Sequence, residues 1–319
     1  MNKQLIQNPN PWNDYSGYIR KTFGERVQKI SVNTGLGCPN LDGSLSFDGC
    51  TYCNNSSFSP FYCKSTKSIR QQLTEGIDFF AKKYKSQKYL AYFQSFTNTY
   101  TSDTNFANML NEALGTEGVI GLVVATRPDS ISKTQIELLD KLAKSHYVSL
   151  EFGIESGLNK TLSRINRGHN VQAVIDAFAT CQNKSFHTGA HLILGLPGES
   201  ENDMLNHVDF INSVQPNSLK LHQLQVLKGT AIAEEFKQVP EDFVSFTVDS
   251  YINLVIRFLE RLNPNIVVER FTSESPKELI ISPNWGGLKN FEFVDKLRNT
   301  IKTKASYQGK EFKYETEFH

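Results

Sequence analysis

The chain has 319 residues, which is enough for one large α/β domain with an appendage or for two ordinary domains. Apolar residues make up 39% of the chain and charged residues 21%, proportions that argue against wholesale disorder. The formal net charge of +1 predicts no large electrostatic field, so a nucleic-acid partner is neither required nor excluded.

No stretch of the sequence approaches the roughly 18 consecutive apolar residues that a transmembrane helix needs, so we expect no membrane partner. Residues 1–15 contain no apolar segment of the kind found in signal peptides. We therefore expect a cytoplasmic protein.

Predicted strands and helices alternate along most of the chain. Short apolar runs and β-branched residues predict buried parallel strands at 28–33, 89–95, 119–125, 147–153, 187–194 and 218–226. Apolar residues spaced by three or four positions predict a helix between each successive pair of strands. Ser132 with Gln135 indicates a capping box at the start of one of them. This order predicts a parallel α/β fold, either an open doubly wound sheet or a partial barrel.

The pattern changes in the last third of the chain. Residues 241–262 predict one long helix, which a strand at 266–271 and a final helix near 289–303 follow. We expect three parts, namely an amino-terminal arm (1–27), a core (28–230) and a carboxy-terminal α+β extension (231–319). Arg270 and Trp285 are candidates for substrate contacts from this extension.

Three of the five cysteines crowd together just after the first predicted strand. Cys38, Cys50 and Cys53 have the spacing C-x11-C-x2-C. In a cytosolic protein such crowding is typical of metal or redox chemistry rather than of disulfides. Three thiolates would leave one iron of a 4Fe–4S cluster without a protein ligand, whereas structural zinc needs a fourth ligand, for which Cys63 is available. On spacing alone a cluster, a zinc site and three unrelated thiols all remain open.

The cysteine loop and five later segments resemble the radical S-adenosylmethionine (SAM) superfamily. The later segments are ATRPDS (125–130), EFGIES (151–156), NRGHN (166–170), LILGLPGES (192–200) and LKLHQLQVLKGT (219–230). Each lies where the alternating pattern puts the carboxyl end of a strand, which is the catalytic edge of a parallel barrel. The chain looks most like the YhcC-type branch, and more distantly like the Elongator catalytic subunit and oxygen-independent coproporphyrinogen oxidase. An expanded first cysteine gap marks the YhcC-type and Elongator-like branches.

This resemblance implies a partial (βα)6 TIM-like barrel and a 4Fe–4S cluster held by Cys38, Cys50 and Cys53. It implies that SAM binds the open iron and is cleaved reductively to a 5′-deoxyadenosyl radical, which abstracts hydrogen from a substrate. The substrate implied is a tRNA or other nucleotide, or a small metabolite. An electron donor such as flavodoxin or ferredoxin is implied as a partner. The alternative is a non-catalytic protein in which zinc or a cluster only holds the first loop together.

The resemblance also implies which residues contact SAM. Glu155 and Arg167 match positions that bind its ribose and carboxylate, and the alternative is an ion pair between the strand end and the following loop. The glycine-rich segment that many members carry after the second strand is replaced by QSFTNTY (94–100), where Gln94, Thr97 and Asn98 stand instead. The candidate cofactor-binding residues are Tyr52, Gln94, Arg127, Glu155, Arg167, His191 and Gly195. For His191 the alternative is a satisfied core or rim position, which lone histidines on strands occupy more often than catalytic ones. For Gly195 the alternative is a tight turn after the strand.

Overall fold

The computed structural model describes residues 10–54, 60–82 and 87–313. They form two compact units. The first unit is Ile19–His191, and the second runs from Leu192 onwards and includes the described residues before Ile19. The strands are β1 (Val27–Val32), β2 (Lys88–Phe93), β3 (Val119–Thr126), β4 (Tyr147–Glu155), β5 (His187–Leu194), β6 (Ser218–Gln223), β7 (Val226–Leu227), β8 (Val267–Arg270) and β9 (Ile280–Ser282).

Helices separate these strands along the described chain. They are α1 (Tyr15–Phe23), α2 (Ile69–Ala81), α3 (Asp103–Leu114), α4 (Lys133–Ala143), α5 (Asn159–Arg164), α6 (Val171–Cys181), α7 (Glu201–Val214), α8 (Ala231–Gln238), α9 (Val248–Arg261) and α10 (Asn290–Thr303). None of the helices in the described ranges is long and apolar enough to cross a membrane.

One sheet contains seven strands in the order β1-β2-β3-β4-β5-β6-β8. The pairs β1–β2, β2–β3, β3–β4 and β6–β8 run parallel. Parallel neighbours need a crossover, and at least one helix follows each of β1 to β5 before the next strand begins. The predicted alternation is confirmed. Because β1 to β4 run in the same direction, the loops that follow them leave from the same edge of the sheet.

The core of the first unit lies on both faces of these strands. On one face, alternate residues of β2 and β3 form a single apolar cluster of Leu90, Tyr92, Val123 and Ala125. The residues between them, such as Leu122 and Val124, are fully buried as well. Strands covered on both faces are typical of parallel sheets, and they explain why the sequence shows continuous apolar runs here.

The predicted start of α4 is confirmed in atomic detail. The Ser132 hydroxyl accepts a hydrogen bond from the Gln135 backbone N–H, and the Gln135 side chain accepts one from the Ser132 N–H, both at 3.1 Å. Two of the otherwise unpaired donors of the first helical turn are thereby satisfied.

Two predicted elements of the carboxy-terminal region differ from the structure. The strand predicted at 218–226 ends at Gln223, and Val226–Leu227 pairs antiparallel with β9 instead. The helix predicted at 241–262 begins only at Val248, because the Thr247 side chain accepts a hydrogen bond from the Ser250 N–H and caps it there. The helices α1, α5 and α8 were not predicted from the sequence, since six to nine residues are too short for a periodic stripe to stand out.

Candidate metal centre

The cysteine loop follows β1 in the first unit. Its two ends are shaped by tight turns, in which the Leu41 N–H donates to the Cys38 carbonyl at 2.8 Å and the Cys53 N–H donates to the Cys50 carbonyl at 3.0 Å. Cys38 and Cys50 are half-buried and Cys53 is exposed. The turn between Cys50 and Cys53 has the form expected for two cysteines that share one metal centre.

The segment after α5 anchors this loop. Asn166 lies in the left-handed region at φ 50°, and its side-chain amide donates to the Gly49 carbonyl at 2.7 Å and to the Ser46 hydroxyl at 3.1 Å. In return, the Asn40 amide donates to the Asn166 carbonyl at 2.5 Å, and the Thr51 N–H donates to the Ile165 carbonyl at 3.0 Å. The cysteines therefore lie on a loop whose path is set by hydrogen bonds to a distant part of the sequence.

We expect Asn166→Ala to weaken this anchoring. Alanine cannot form the two side-chain hydrogen bonds and is disfavoured at positive φ, so the free energy of unfolding should fall by about 2–3 kcal/mol. The matched control is Asn183→Ala, which replaces an exposed asparagine at φ 59° and thus tests backbone strain alone. Urea denaturation of both variants measures the difference, and equal losses in the two would contradict the anchoring role.

Arg167 joins the cysteine loop to β4. Its side chain is 6% exposed, and Nη2 donates to the Gly153 carbonyl at 2.7 Å and lies 3.6 Å from Oε1 of Glu155. Its Nη1 donates to the sulfur of Cys50 at 3.5 Å, and the Asn40 amide donates to the same sulfur, also at 3.5 Å. Hydrogen bonds from two N–H donors to one sulfur are the kind of support that metal-binding side chains receive from their neighbours.

Glycine at position 153 leaves room for this arrangement. A Cβ there would come within 2.5 Å of Oε1 of Glu155 and 2.8 Å of Nη2 of Arg167. Glu155 itself ends β4 at φ 62°, a conformation uncommon for a bulky residue. Backbone strain of this kind is concentrated at functional sites, where the surroundings hold it in place.

Buried polar atoms without partners surround the loop. Within the described part of the chain they include Nε of Arg167, Nη1 of Arg127, Oδ1 of Asn40 and Nε2 of His169. Each unpaired buried group of this kind costs about 1–3 kcal/mol unless a ligand or water satisfies it. The unpaired N–H groups of the two arginines fit an anionic sulfur cluster beside the thiols, and the unpaired acceptors on Asn40 and His169 fit a polar cofactor.

In the described residues, no three His, Cys, Asp or Glu side chains are arranged to hold a single metal ion. A tetrahedral zinc site places its sulfur ligands about 4 Å apart, because each Zn–S bond is about 2.3 Å long. In a 4Fe–4S cube each cysteine binds a different iron, so its sulfurs are spread more widely.

Burial of its hydroxyl raises the pKa of Tyr52 well above the usual range, and the nearby Cys50 and Glu155 raise this pKa further. The phenol is therefore neutral at physiological pH and available as a hydrogen-bond donor. Gln94 lies just after β2 and accepts a hydrogen bond from the Ser31 hydroxyl at 3.4 Å.

The neighbours of Gln94 are structural. The Asn98 amide donates to the Ala125 carbonyl at 3.0 Å, and its oxygen accepts from the Thr34 hydroxyl at 3.3 Å. The Thr97 N–H donates to the Gly37 carbonyl at 3.3 Å. These contacts hold the segment after β2 against the start of the cysteine loop.

Arg127 follows β3 and is 2% exposed. Its Nε and Nη2 form a fork onto the two carboxylate oxygens of Asp129, at 2.9 and 2.8 Å. Beside it, burial and then the charge of Arg167 lower the pKa of His169 to about 4, so this imidazole is neutral. Because its Nδ1 lies 3.2 Å from the Asn170 carbonyl, the proton resides on Nδ1 and Nε2 is an acceptor.

His191 lies on β5 and takes part in a buried charge network. Glu151 on β4 is 1% exposed, and its two oxygens lie 2.9 Å from Nε2 of His191 and 3.1 Å from Nζ of Lys29 on β1. The Lys29 ammonium also lies 5.2 Å from the centre of the Tyr92 ring. Strands 1, 2, 4 and 5 thus each contribute a polar or aromatic group to one network.

We expect Glu151→Gln to destabilise the first unit by about 3 kcal/mol, because it removes the buried carboxylate that two half-buried partners share. Adding Lys29→Met should recover part of this loss, since the half-buried ammonium that has lost this carboxylate is then gone. The exposed pair Lys237–Glu234 provides the control, and Glu234→Gln should change the free energy of unfolding very little. Urea denaturation of the unaltered chain, of these three variants and of Lys29→Met alone is the measurement, and additive effects of the two substitutions would contradict the network.

Gly195 belongs to the second unit. Its φ of 92° is suited to glycine, and a Cβ there would come within 2.8 Å of the Phe246 ring. The positive φ of Gly195 and the close packing of the Phe246 ring therefore account for a glycine at this position.

Sequence reasoning did not single out several residues of this site. The cysteine loop contains Asn40, and the segment NRGHN contains Asn166 and His169, but no characteristic spacing distinguishes these three residues from their neighbours. Lys29 is one residue of a predicted strand. Only the strand alternation that places Lys29 on the same face as Val27 could have indicated its position.

The chain matches two protein-family models. The model described as the Radical SAM superfamily matches residues 32–211, and the Radical_SAM C-terminal domain matches residues 216–303. The uncharacterized protein YtqA of Bacillus subtilis is 30% identical over 295 residues, which cover 92% of this chain and 91% of YtqA. Protein YhcC of Escherichia coli is 28% identical over 274 residues, or 86% of this chain and 87% of YhcC.

The archaeal Elp3 of Methanocaldococcus infernus is a solved structure with a similar fold. It superposes with a TM-score of 0.63 at 17% sequence identity, over 88% of this chain and 64% of Elp3. The present chain thus spans less than two thirds of that protein. The likeness confirms the partial (βα)6 barrel expected from the sequence. With the family model covering more than half of its length, the chain belongs to the radical SAM superfamily.

Proposed function

We propose that the chain is a radical SAM enzyme whose Cys38, Cys50 and Cys53 hold a 4Fe–4S cluster with one iron left for SAM. The observation that carries the proposal is the pair of N–H donors, from Arg167 and Asn40, on the sulfur of Cys50. When bound, the cluster and SAM supply an electron and a 5′-deoxyadenosyl radical that abstracts hydrogen from the substrate. Superfamily membership supports this class of chemistry.

The protein's own residues orient the cofactor and stabilise its charge. The guanidinium of Arg167 balances the negative charge of the thiolates and, with Glu155, presents a cation beside an anion at the end of β4. These two groups suit the carboxylate and the ribose hydroxyls of SAM. The neutral phenol of Tyr52 adds a donor next to the last cysteine.

We propose as cofactor contacts the seven residues that were selected from the sequence. They are Tyr52, Gln94, Arg127, Glu155, Arg167, His191 and Gly195. Arg127 has the strongest additional support, because its Nη1 is buried and unpaired in the described structure. A guanidinium with a free N–H next to the cysteine loop is suited to an anionic group of SAM.

The proposal leaves the substrate as either a tRNA or a small metabolite, with flavodoxin or ferredoxin as the class of electron donor. The boundaries 1–27, 28–230 and 231–319 remain predictions for the functional parts of the chain. Profiling of metabolites and of tRNA nucleosides in a deletion strain would show which substrate class changes.

Anaerobic reconstitution of the full chain with iron and sulfide tests the cluster. We expect about four iron and four sulfide per chain, with a brown chromophore. With a strong reductant and SAM, the protein should release 5′-deoxyadenosine. Stoichiometric zinc without SAM cleavage would instead support a non-catalytic protein whose metal only holds the first loop together.

A further inference from the structure

The second unit contains a cavity of about 250 Å³ that the cysteine site does not use. One wall is aromatic, formed by Trp285 and Phe293, whose rings stack at 5.8 Å with an interplanar angle of 6°. The indole N–H of Trp285 donates to the Phe246 carbonyl at 2.9 Å, which fixes the ring. This wall offers an apolar surface to a small organic molecule.

Two polar atoms of the cavity lining are buried without partners in the described structure. They are the Ser275 hydroxyl and Oε1 of Gln225. The Gln225 amide nitrogen donates to the Ser273 carbonyl at 3.2 Å, so the orientation of the side chain is set and its oxygen remains an unused acceptor. A ligand with an N–H or O–H donor would satisfy Gln225, and the hydroxyl can donate to a second ligand atom.

Two lysines give the cavity a positive charge. Lys277 packs over Gly287, which adopts φ 78°, and a Cβ at position 287 would overlap Nζ and Cε of this lysine. Within the described ranges neither Lys277 nor Lys289 forms an ion pair. Glu274 is the one carboxylate among the described lining residues, and it accepts the Asn290 N–H at 2.7 Å. The described lining therefore carries two ammonium groups and one carboxylate, which leaves a net positive charge.

We propose that this cavity binds a small phosphorylated metabolite that carries a hydrogen-bond donor on an apolar or planar body. Phosphate has a charge of about −1.5 to −2 at neutral pH, which two ammonium groups match. Lysines bind phosphate as point charges, whereas carboxylates are usually recognised by the fork of an arginine. The lining residues in the described part of the chain include no arginine. The volume suits a small molecule better than a long strand of nucleic acid.

Titration of the reconstituted full chain with inorganic phosphate, uridine 5′-monophosphate and uridine tests the proposal by calorimetry and by intrinsic tryptophan fluorescence. Phosphate and the nucleotide should bind, the nucleotide more tightly, and uridine should bind at least about tenfold more weakly. Lys277→Gln and Gln225→Leu should each weaken nucleotide binding by about tenfold, and Lys302→Gln, an exposed lysine outside the cavity, should not.

Gly287→Ala leaves the charge of Lys277 unchanged, but the added methyl group occupies the space that the end of the Lys277 side chain fills. The ammonium group must therefore move, so we expect nucleotide binding to weaken in this variant as well. Circular dichroism and the thermal midpoint show whether each variant remains folded. Absence of binding by phosphate and nucleotide, or equal binding by the folded Lys277→Gln variant, would overturn the site. Tighter binding of a 5′-phosphorylated RNA oligonucleotide than of the mononucleotide would overturn the small-molecule assignment. None of these measurements depends on SAM cleavage, so the two proposals fail independently.

Discussion

Replacement of any one of Cys38, Cys50 and Cys53 by alanine is expected to reduce SAM cleavage to the background of the reductant alone. Each thiolate would bind a different iron, so the loss of one leaves the cube with two protein ligands. We expect the iron content after reconstitution to fall from about four per chain to less than about one. Production of 5′-deoxyadenosine, measured by chromatography, and iron analysis check this outcome together.

Cys63→Ala is the matched control. Cys63 is 4% exposed, and burial raises the pKa of its thiol to about 11, so it is a protonated core residue at neutral pH. Its loss should cost about 1 kcal/mol of unfolding free energy and leave iron content and SAM cleavage intact. Loss of bound metal in this variant would indicate a fourth cysteine ligand and would favour the zinc site that the spacing left open.

The second large effect is expected from Arg167→Lys. A single ammonium cannot donate at once to the Gly153 carbonyl and to the sulfur of Cys50, as the guanidinium does. Residues that support metal ligands in this way typically contribute 10- to 100-fold, so SAM cleavage should fall by about that factor. We expect the cluster to assemble, because the three thiolates are unchanged. Electron paramagnetic resonance of the reduced protein with and without SAM would show altered cofactor binding at constant iron content.

A double-variant cycle tests whether Arg167 acts on SAM together with Glu155 or only through its positive charge. If Arg167 and Glu155 act together on SAM, adding Glu155→Gln to Arg167→Lys should cost less than the sum of the single losses. The exposed Arg257, which pairs with Glu201, provides the control, and Arg257→Lys should leave SAM cleavage unchanged. Full additivity of the two site variants would contradict a shared role.

The strands could be located from the sequence because a strand that is buried on both faces has a continuous run of apolar residues. The run at 187–194 coincides with β5, and the other core strands are displaced by only one or two residues at their ends, apart from the strand predicted at 218–226. The start of α4 was equally visible, since a capping box depends on two residues three positions apart. Both signals depend only on residues that are close together in the sequence, so they can be recognised without knowledge of the rest of the fold.

Other features were beyond the sequence because they depend on residues far apart in the chain. The end of β6 at Gln223 depends on β9, which offers Val226–Leu227 a different partner more than fifty residues away. The network of Lys29, Glu151 and His191 likewise requires the sheet to place strands 1, 4 and 5 together. Alternation along a strand can place each of these side chains on a face of the sheet, but no local pattern shows which of them meet.

The candidate metal centre shows the same division. The sequence by itself determined that three cysteines follow the first strand and that polar segments end the later strands, because both follow from spacing and alternation. Only the tertiary structure decided that Asn166 ties down the cysteine loop and that Arg167 donates to Cys50. Hydrogen bonds between segments more than a hundred residues apart form only once the chain has folded, so no local pattern encodes them.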